Sequence, residues 1–144
     1  DTVIFYRMIS TLLGRMCLSG DIYDLSEHQW SLVEEGMDFY RQAVPIIRDG
    51  MTRFLTPRVR SYYRLTGAQA IWRGCGDQAL LVIHRFEMSE EESIPLPSTV
   101  TVTRSYGSPI TELTSGCLHI FPGSYAAQAY LLRVADAGTG SRDV

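Results

Sequence analysis

Residues 15–25, Arg-Met-Cys-Leu-Ser-Gly-Asp-Ile-Tyr-Asp-Leu, read as a short apolar strand that runs into an exposed turn, with a helical pattern on either side. A continuous apolar strand flanked by helices belongs to a parallel sheet, because crossover helices cover both faces of such a sheet. One strand makes no sheet. Its partners are therefore expected outside these 144 residues, as though the chain begins in the middle of a larger fold, or on another chain.

The helices are defined by spacing. Ile4, Phe5, Met8, Leu12 and Leu13 predict a helix over residues 2–13, with Asp1 or Thr2 to cap it and Gly14 to stop it. The second has the stronger start. Ser26 is followed three residues later by Gln29, a capping box, and Leu25 and Trp30 occupy the two positions of a hydrophobic staple. Trp30, Val33, Met37, Tyr40, Val44 and Ile47 then predict the buried stripe, with Glu34, Glu35, Asp38 and Arg41 in water. Pro45 and Asp49-Gly50 are expected to end it.

Beyond residue 50 the hydrophobic period changes from about 3.6 to 2. Strands are predicted at 59–64, 68–73, 78–86, 99–104, 117–121 and 128–134, divided by turn signals at Thr66-Gly67, Gly74 to Asp77, the acidic run Ser89 to Ser93, Tyr106 to Pro109 and Pro122-Gly123. Regular strands without intervening helices indicate an antiparallel sandwich. Its inward positions are expected to include Ile71, Leu81, Ile83, Val100, Val102, Leu118, Ile120, Tyr130 and Leu132. The fold class is thus α+β: two N-terminal helices and one strand over 1–50, an antiparallel β-sandwich over 51–134, and a tail over 135–144 with nothing to bury.

Composition narrows the partners. An apolar content of 45% supports a core, the net charge is −3, and every basic side chain is Arg, scattered without a stripe that would track phosphates. Nucleic acid is not an expected partner. No apolar run approaches the ~20 residues that cross a bilayer, so no membrane is expected either. Cys17, Cys75 and Cys117 form no CxxC pair and are expected to be reduced and buried, consistent with a cytoplasmic setting.

Candidate chemistry is sparse. A glycosidase needs two carboxylates flanking one bond, roughly 5–10 Å apart. Glu34 and Glu35 fall on the solvent face of a helix, and Glu90 to Glu92 read as a solvated acidic turn. Asp21 differs, because Ser19-Gly20-Asp21 follows the apolar strand and ligand-binding groups collect at the carboxyl ends of parallel strands. Its alternative is a turn residue that caps local backbone. Cys75, His84, Cys117 and His119 lack the close-paired spacing of zinc modules, so no metal is expected. No Gly-x-Ser-x-Gly turn is present, and His28 lies on a polar first helical turn. Trp72, Tyr62, Tyr63, Tyr106 and Phe121 suit either a sugar-stacking platform or a sandwich core.

The segment Leu13 to Ile22, followed by Leu25-Ser26 and a helix ending Phe39-Tyr40-Arg41 and Ile46-Ile47-Arg48-Asp49-Gly50, resembles the α-galactosidase and α-N-acetylgalactosaminidase clan of glycoside hydrolases, the melibiase-like enzymes. The resemblance covers residues 1–55 and is architectural beyond. It implies that 1–50 are the last helix, strand and helix of a (β/α)8 catalytic barrel and that 51–134 are the domain behind it. It implies no cofactor, a carbohydrate substrate, and the remainder of the barrel as partner; self-association into a homo-oligomer is left open. Ser19, Gly20 and Asp21 become substrate-binding candidates at the pocket mouth. The two catalytic aspartates of that clan lie on earlier strands, and neither motif occurs here, so no catalytic residue is expected in this chain, which is expected to be inactive alone. A non-catalytic β-sandwich module that binds carbohydrate or protein is the competing expectation. Coverage of the helical stripes separates the two, because exposed stripes point to missing partners.

Overall fold

The computed structural model describes residues 1–20, 22–59, 63–87 and 89–135. Helix α1 (Thr2–Ser10) and helix α2 (Glu27–Asp49) precede strands β1 (Met51–Phe54), β2 (Ala68–Cys75), β3 (Gln78–Arg85), β4 (Glu92–Pro95), β5 (Val100–Gly107), β6 (Thr111–Leu113), β7 (Cys117–Ile120) and β8 (Ala126–Val134). The strands form a five-stranded sheet in the order β1-β2-β3-β8-β5 and a three-stranded sheet in the order β4-β7-β6. Every ladder between named strands is antiparallel.

The capping box forms as its spacing predicts. Gln29 N donates to Ser26 Oγ at 3.2 Å, and Ser26 N donates to Gln29 Oε1 at 3.0 Å, which satisfies two amides that the first turn leaves without partners. Pro45 does not end α2. It lies exposed inside the helix, where its missing N–H costs one hydrogen bond, and the helix continues to Asp49. There Arg73 closes the end: its Nε and Nη2 donate to the Ile47 carbonyl at 2.9 and 2.7 Å, and Nε also reaches Ile46 O at 3.1 Å.

The central strands of the five-stranded sheet, β3 and β8, are buried on both faces, while the edge strand β1 is exposed. Leu80, Val82, Ala127, Ala129 and Leu131 meet Met8, Ile9 and Leu12 of the N-terminal segment and Val33, Phe39, Ala43 and Ile46 of α2. On the other face Leu81, Ile83, Tyr130 and Leu132 meet Ile94, Leu118 and Ile120 of the smaller sheet. The molecule is therefore α/β/β in layers: the two sheets form the expected antiparallel sandwich, the helices cover the outer face of the large sheet, and the outer face of the small sheet is open to solvent.

Seven of the nine expected inward positions line the core between the sheets; Ile71 and Val102 do not. Ile71 is buried, but Ala70 and Trp72 fill that core from β2, and alternation turns Ile71 away. Val102 is 42% exposed, on the edge strand β5 beside a register shift between Val102 and Arg104. The stripe of α2 is out of phase with expectation. The helix buries Leu32, Val33, Gly36, Phe39, Ala43 and Ile46, and leaves Trp30 exposed with Met37, Tyr40, Val44 and Ile47 half-covered. Gly36 explains the turn of the helix. A Cβ there would lie 2.6 Å from Tyr106 Oη, the hydroxyl that donates to Leu32 O at 2.8 Å.

Strands β1, β4 and β6 were not predicted. Glu92 opens β4 rather than closing an acidic turn, and burial pushes its carboxyl pKa up. Of the strand expected at 59–64, residues 59, 63 and 64 are not in a strand and 60–62 lie outside the described residues, as do 136–144 of the expected tail.

The apolar strand expected within 15–25 is absent among the described residues. Residues 15–19 are irregular, and a short 3-10 helix runs from Ile22 to Asp24. The physical reason is the pairing requirement itself: a strand forms only against another strand, and among the described residues nothing pairs with it. The cysteines, expected to be buried, are not. Cys17 is exposed and Cys75 and Cys117 are half-buried, all as free thiols.

Candidate functional site

The segment that carries Ser19 and Gly20 is fastened at both ends. At its start, Met16 N donates to Tyr40 Oη at 3.3 Å, and Tyr40 Oη donates to Gly14 O at 3.2 Å. At its end stands the Ser26 cap. Between them Gly20 adopts φ +97°, a left-handed conformation that side chains disfavour, and its carbonyl accepts from Ile22 N at 2.9 Å. A cleft of about 400 Å³ opens beside it, with Ser19, Gly20 and Cys17 on one wall, Arg7 on α1, and Ile4, Met8 and Val33 among its apolar lining. Asp21 lies outside the described residues.

Space alone does not restrict position 20, since a Cβ there meets nothing within 4 Å. The constraint is the backbone angle. The cleft thus offers a hydroxyl, a thiol and a guanidinium over an apolar floor, which suits binding. Hydrolysis would require two carboxylates facing one bond.

The other expected groups are dispersed. Glu34 accepts from Trp30 Nε1 at 3.0 Å on the outer face of α2. Trp72 and Tyr106 are buried on opposite sides of the large sheet and Tyr63 and Phe121 are exposed, so no shared platform forms among the described residues; Tyr62 lies outside them. Among the described residues no three His, Cys, Asp or Glu side chains converge on one point.

Two serine–histidine contacts were not foreseen. Ser10 Oγ lies 3.1 Å from His84 Nε2, where the half-buried imidazole sits beneath α1 and its desolvation pushes the pKa down to about 4. Ser10 already donates its only proton to Tyr6 O at 2.7 Å, so His84 is the donor in that contact and Ser10 is not activated. Ser93 Oγ lies 2.8 Å from His119 Nδ1, and the register places Glu112 opposite His119 on the far side. This row has the residue types of a hydrolytic triad. Ser93 and Glu112, however, are exposed on an open sheet face, without the enclosed donors that stabilise an oxyanion. Register pairing alone foretells this row, once β4, β6 and β7 are recognised as strands, whereas the Ser10–His84 contact joins α1 to β3 and no strand register foretells it.

Neither protein-family models nor curated proteins match the sequence. Among solved structures the chain is similar to Eubacterium rectale Amy13B at 13% identity and TM-score 0.48, over 74% of this chain and 20% of that one. It is also similar to an isomaltulose synthase from Erwinia rhapontici NX5, at 18% identity and TM-score 0.41 over 68% of this chain and 18% of that one. A third is the isomaltulose synthase PalI from Klebsiella sp. LX3, at 19% identity, TM-score 0.41 and the same coverage. The chain spans about a fifth of the length of these structures. At such identities and scores the likeness assigns neither family nor activity.

Proposed function

We propose that the chain is the C-terminal portion of a glycoside hydrolase of the α-galactosidase-like type, with residues 1–50 closing a (β/α)8 barrel and 51–134 packed behind it. The observation that carries this reading is the state of residues 15–20. An apolar segment, fastened at Gly14 and Ser26, holds Cys17 and Leu18 exposed with no strand beside it among the described residues, as the last strand of a barrel would be without its neighbours. The order of motifs from Leu13 to Gly50 supplies the clan. In the whole enzyme Ser19, Gly20 and Asp21 stand at the end of that strand, where they hydrogen-bond a sugar hydroxyl or the pocket wall, and the catalytic carboxylates come from elsewhere.

The test is steady-state kinetics on aryl α-galactosides with Gly20→Val and Asp21→Asn in the full-length protein. Both variants are expected to raise KM more than they lower kcat, because they remove binding rather than a reacting group. Unchanged kinetics in both would reduce the turn to a structural link.

A second reading has its own observation. Met8, Ile9 and Leu12 are covered by the sheet within this chain, so its N-terminal segment needs no outside partner to bury its inner face. That suits a non-catalytic module with its helices wrapped on the sheet. Full-length protein inactive on every α-glycoside tried would favour it.

A further inference from the structure

Where the connection from β1 to β2 passes the start of β4, a surface depression of about 400 Å³ is lined by Arg58, Arg64 and Glu92 together with Pro57, Val59 and Ala68. Both polar and apolar surface faces it. Glu92 opens β4 opposite Ile120, and its Oε1 lies 3.9 Å from the place where a Cβ on Gly67 would stand, so the carboxyl group reaches the Gly67 wall of the depression. That wall is fixed. Phe86 N donates to Gly67 O at 2.7 Å, and Glu87 N donates to Leu65 O at 3.2 Å. Arg58 is also held, with its Cζ 4.9 Å from the centroid of the Phe54 ring.

The charges do not neutralise one another. Among the described residues the side chains of Arg58, Arg64 and Glu92 make neither an ion pair nor a hydrogen bond, although all three line the same depression. Burial pushes the Glu92 carboxyl pKa up, and no guanidinium offsets the rise. Two cationic groups and one half-buried anionic group are thus set apart with their charges unmatched, and a ligand that carries both signs can bridge them.

We propose that this depression binds a free α-amino acid with an apolar side chain. The carboxylate of the ligand accepts from the guanidinium groups of Arg58 and Arg64, its ammonium donates to Glu92, and its side chain lies against Pro57, Val59 and Ala68. The volume falls within the range of ~300–1,000 Å³ typical of small-molecule sites, which is ample for one such molecule. Charge selects the class. A simple anion would satisfy the arginines but set its charge beside Glu92, a metal cation or a bare amine would satisfy Glu92 but face two guanidinium groups, and an uncharged ligand would leave all three unmatched. The site lies on the strands and their connections, requires no barrel and does not rest on the catalytic reading above.

The experiment is an amide-resolved NMR titration of the whole 144-residue chain, at fixed ionic strength, with L-leucine, with 4-methylpentanoate, which lacks the ammonium, and with 3-methylbutylamine, which lacks the carboxylate. Saturable shifts at residues 64–68 and 92–93 are expected with L-leucine, at a Kd in the region of ~1–10 mM, and binding of either truncated analogue should be at least about tenfold weaker. The variants separate the two ends of the ligand. Glu92→Gln should weaken L-leucine by about tenfold and bring it level with 4-methylpentanoate, while Arg58→Gln should bring it toward 3-methylbutylamine, each with an unchanged melting temperature. Absence of saturable shifts with L-leucine, equal affinity for 4-methylpentanoate in the unaltered chain, or an unchanged preference for L-leucine in Glu92→Gln would each overturn the assignment.

Discussion

Strands β3 and β8 and the segment between Gly14 and Leu25 are both runs rich in apolar residues, and they meet opposite fates. Leu80 to Ile83 and Ala126 to Leu132 pair with each other, carry helices on one face and a second sheet on the other, and exclude water almost completely. Residues 15–20 have comparable composition at the start but among the described residues no strand to pair with, and apart from Met16, which packs against the core, they stand largely in solvent. Apolar sequence therefore confers the capacity for burial. Backbone pairing decides whether that capacity is used, because an unpaired amide or carbonyl is left in an interior only at a cost.

The largest expected effect lies in the paired region. Ile83 is fully buried between the two sheets, so Ile83→Ala removes its contacts with Leu118 and Ile120 of the opposing core and should cost about 2–5 kcal/mol. Thermal melting of the purified variant reads this directly. An unchanged melting temperature would mean that the central sheet is no better packed than the segment it is compared with.

That face was legible in sequence, and the reasons for what was not are specific. Alternation identified Leu81, Ile83, Tyr130 and Leu132, and the Ser26 cap was visible in a four-residue pattern. The opposite face was missed because its cover is a pair of helices, and no strand pattern announces what will lie on it. The phase of α2 was misread because Gly36 and Ala43 carry little apolar surface. Their value is closeness, which admits Tyr106 to the Leu32 carbonyl. Strands β1, β4 and β6 are three or four residues long, too short for a period of two to emerge. At the candidate site Ser19 and Gly20 do share a cleft, whereas the strand expected to present them depends on pairing partners that no local pattern encodes.

A second, smaller effect probes the junction of α1 with the sheet. Burial holds the His84 pKa at about 4, below the ordinary value of 6.5, so the unfolded chain binds the proton more readily than the folded one. The stabilising contribution is complete above pH 6.5 and is lost as the pH falls toward 4, by at most about 1.4 kcal/mol per unit. Urea unfolding between these limits should show the slope, and His84→Gln should flatten it. A slope that survives the substitution would assign the acid sensitivity to other groups and leave α1 docked independently of His84.

The smallest effect is expected in the unpaired segment, where the comparison is sharpest. Leu18 is 39% exposed on the wall of the Ser19 cleft, whereas Ile83 is fully buried, so Leu18→Ser removes less burial, and its cost in this chain should be about 1 kcal/mol. Denaturant unfolding of the two proteins side by side measures the difference. A loss approaching that of Ile83→Ala would show that residues 15–20 are packed in solution and that pairing is not what separates the two regions. In the full-length protein the proposed barrel would supply the missing neighbours, and the same substitution should then become costly. The gap between the two measurements is therefore the part of this segment's stability that resides outside the 144 residues.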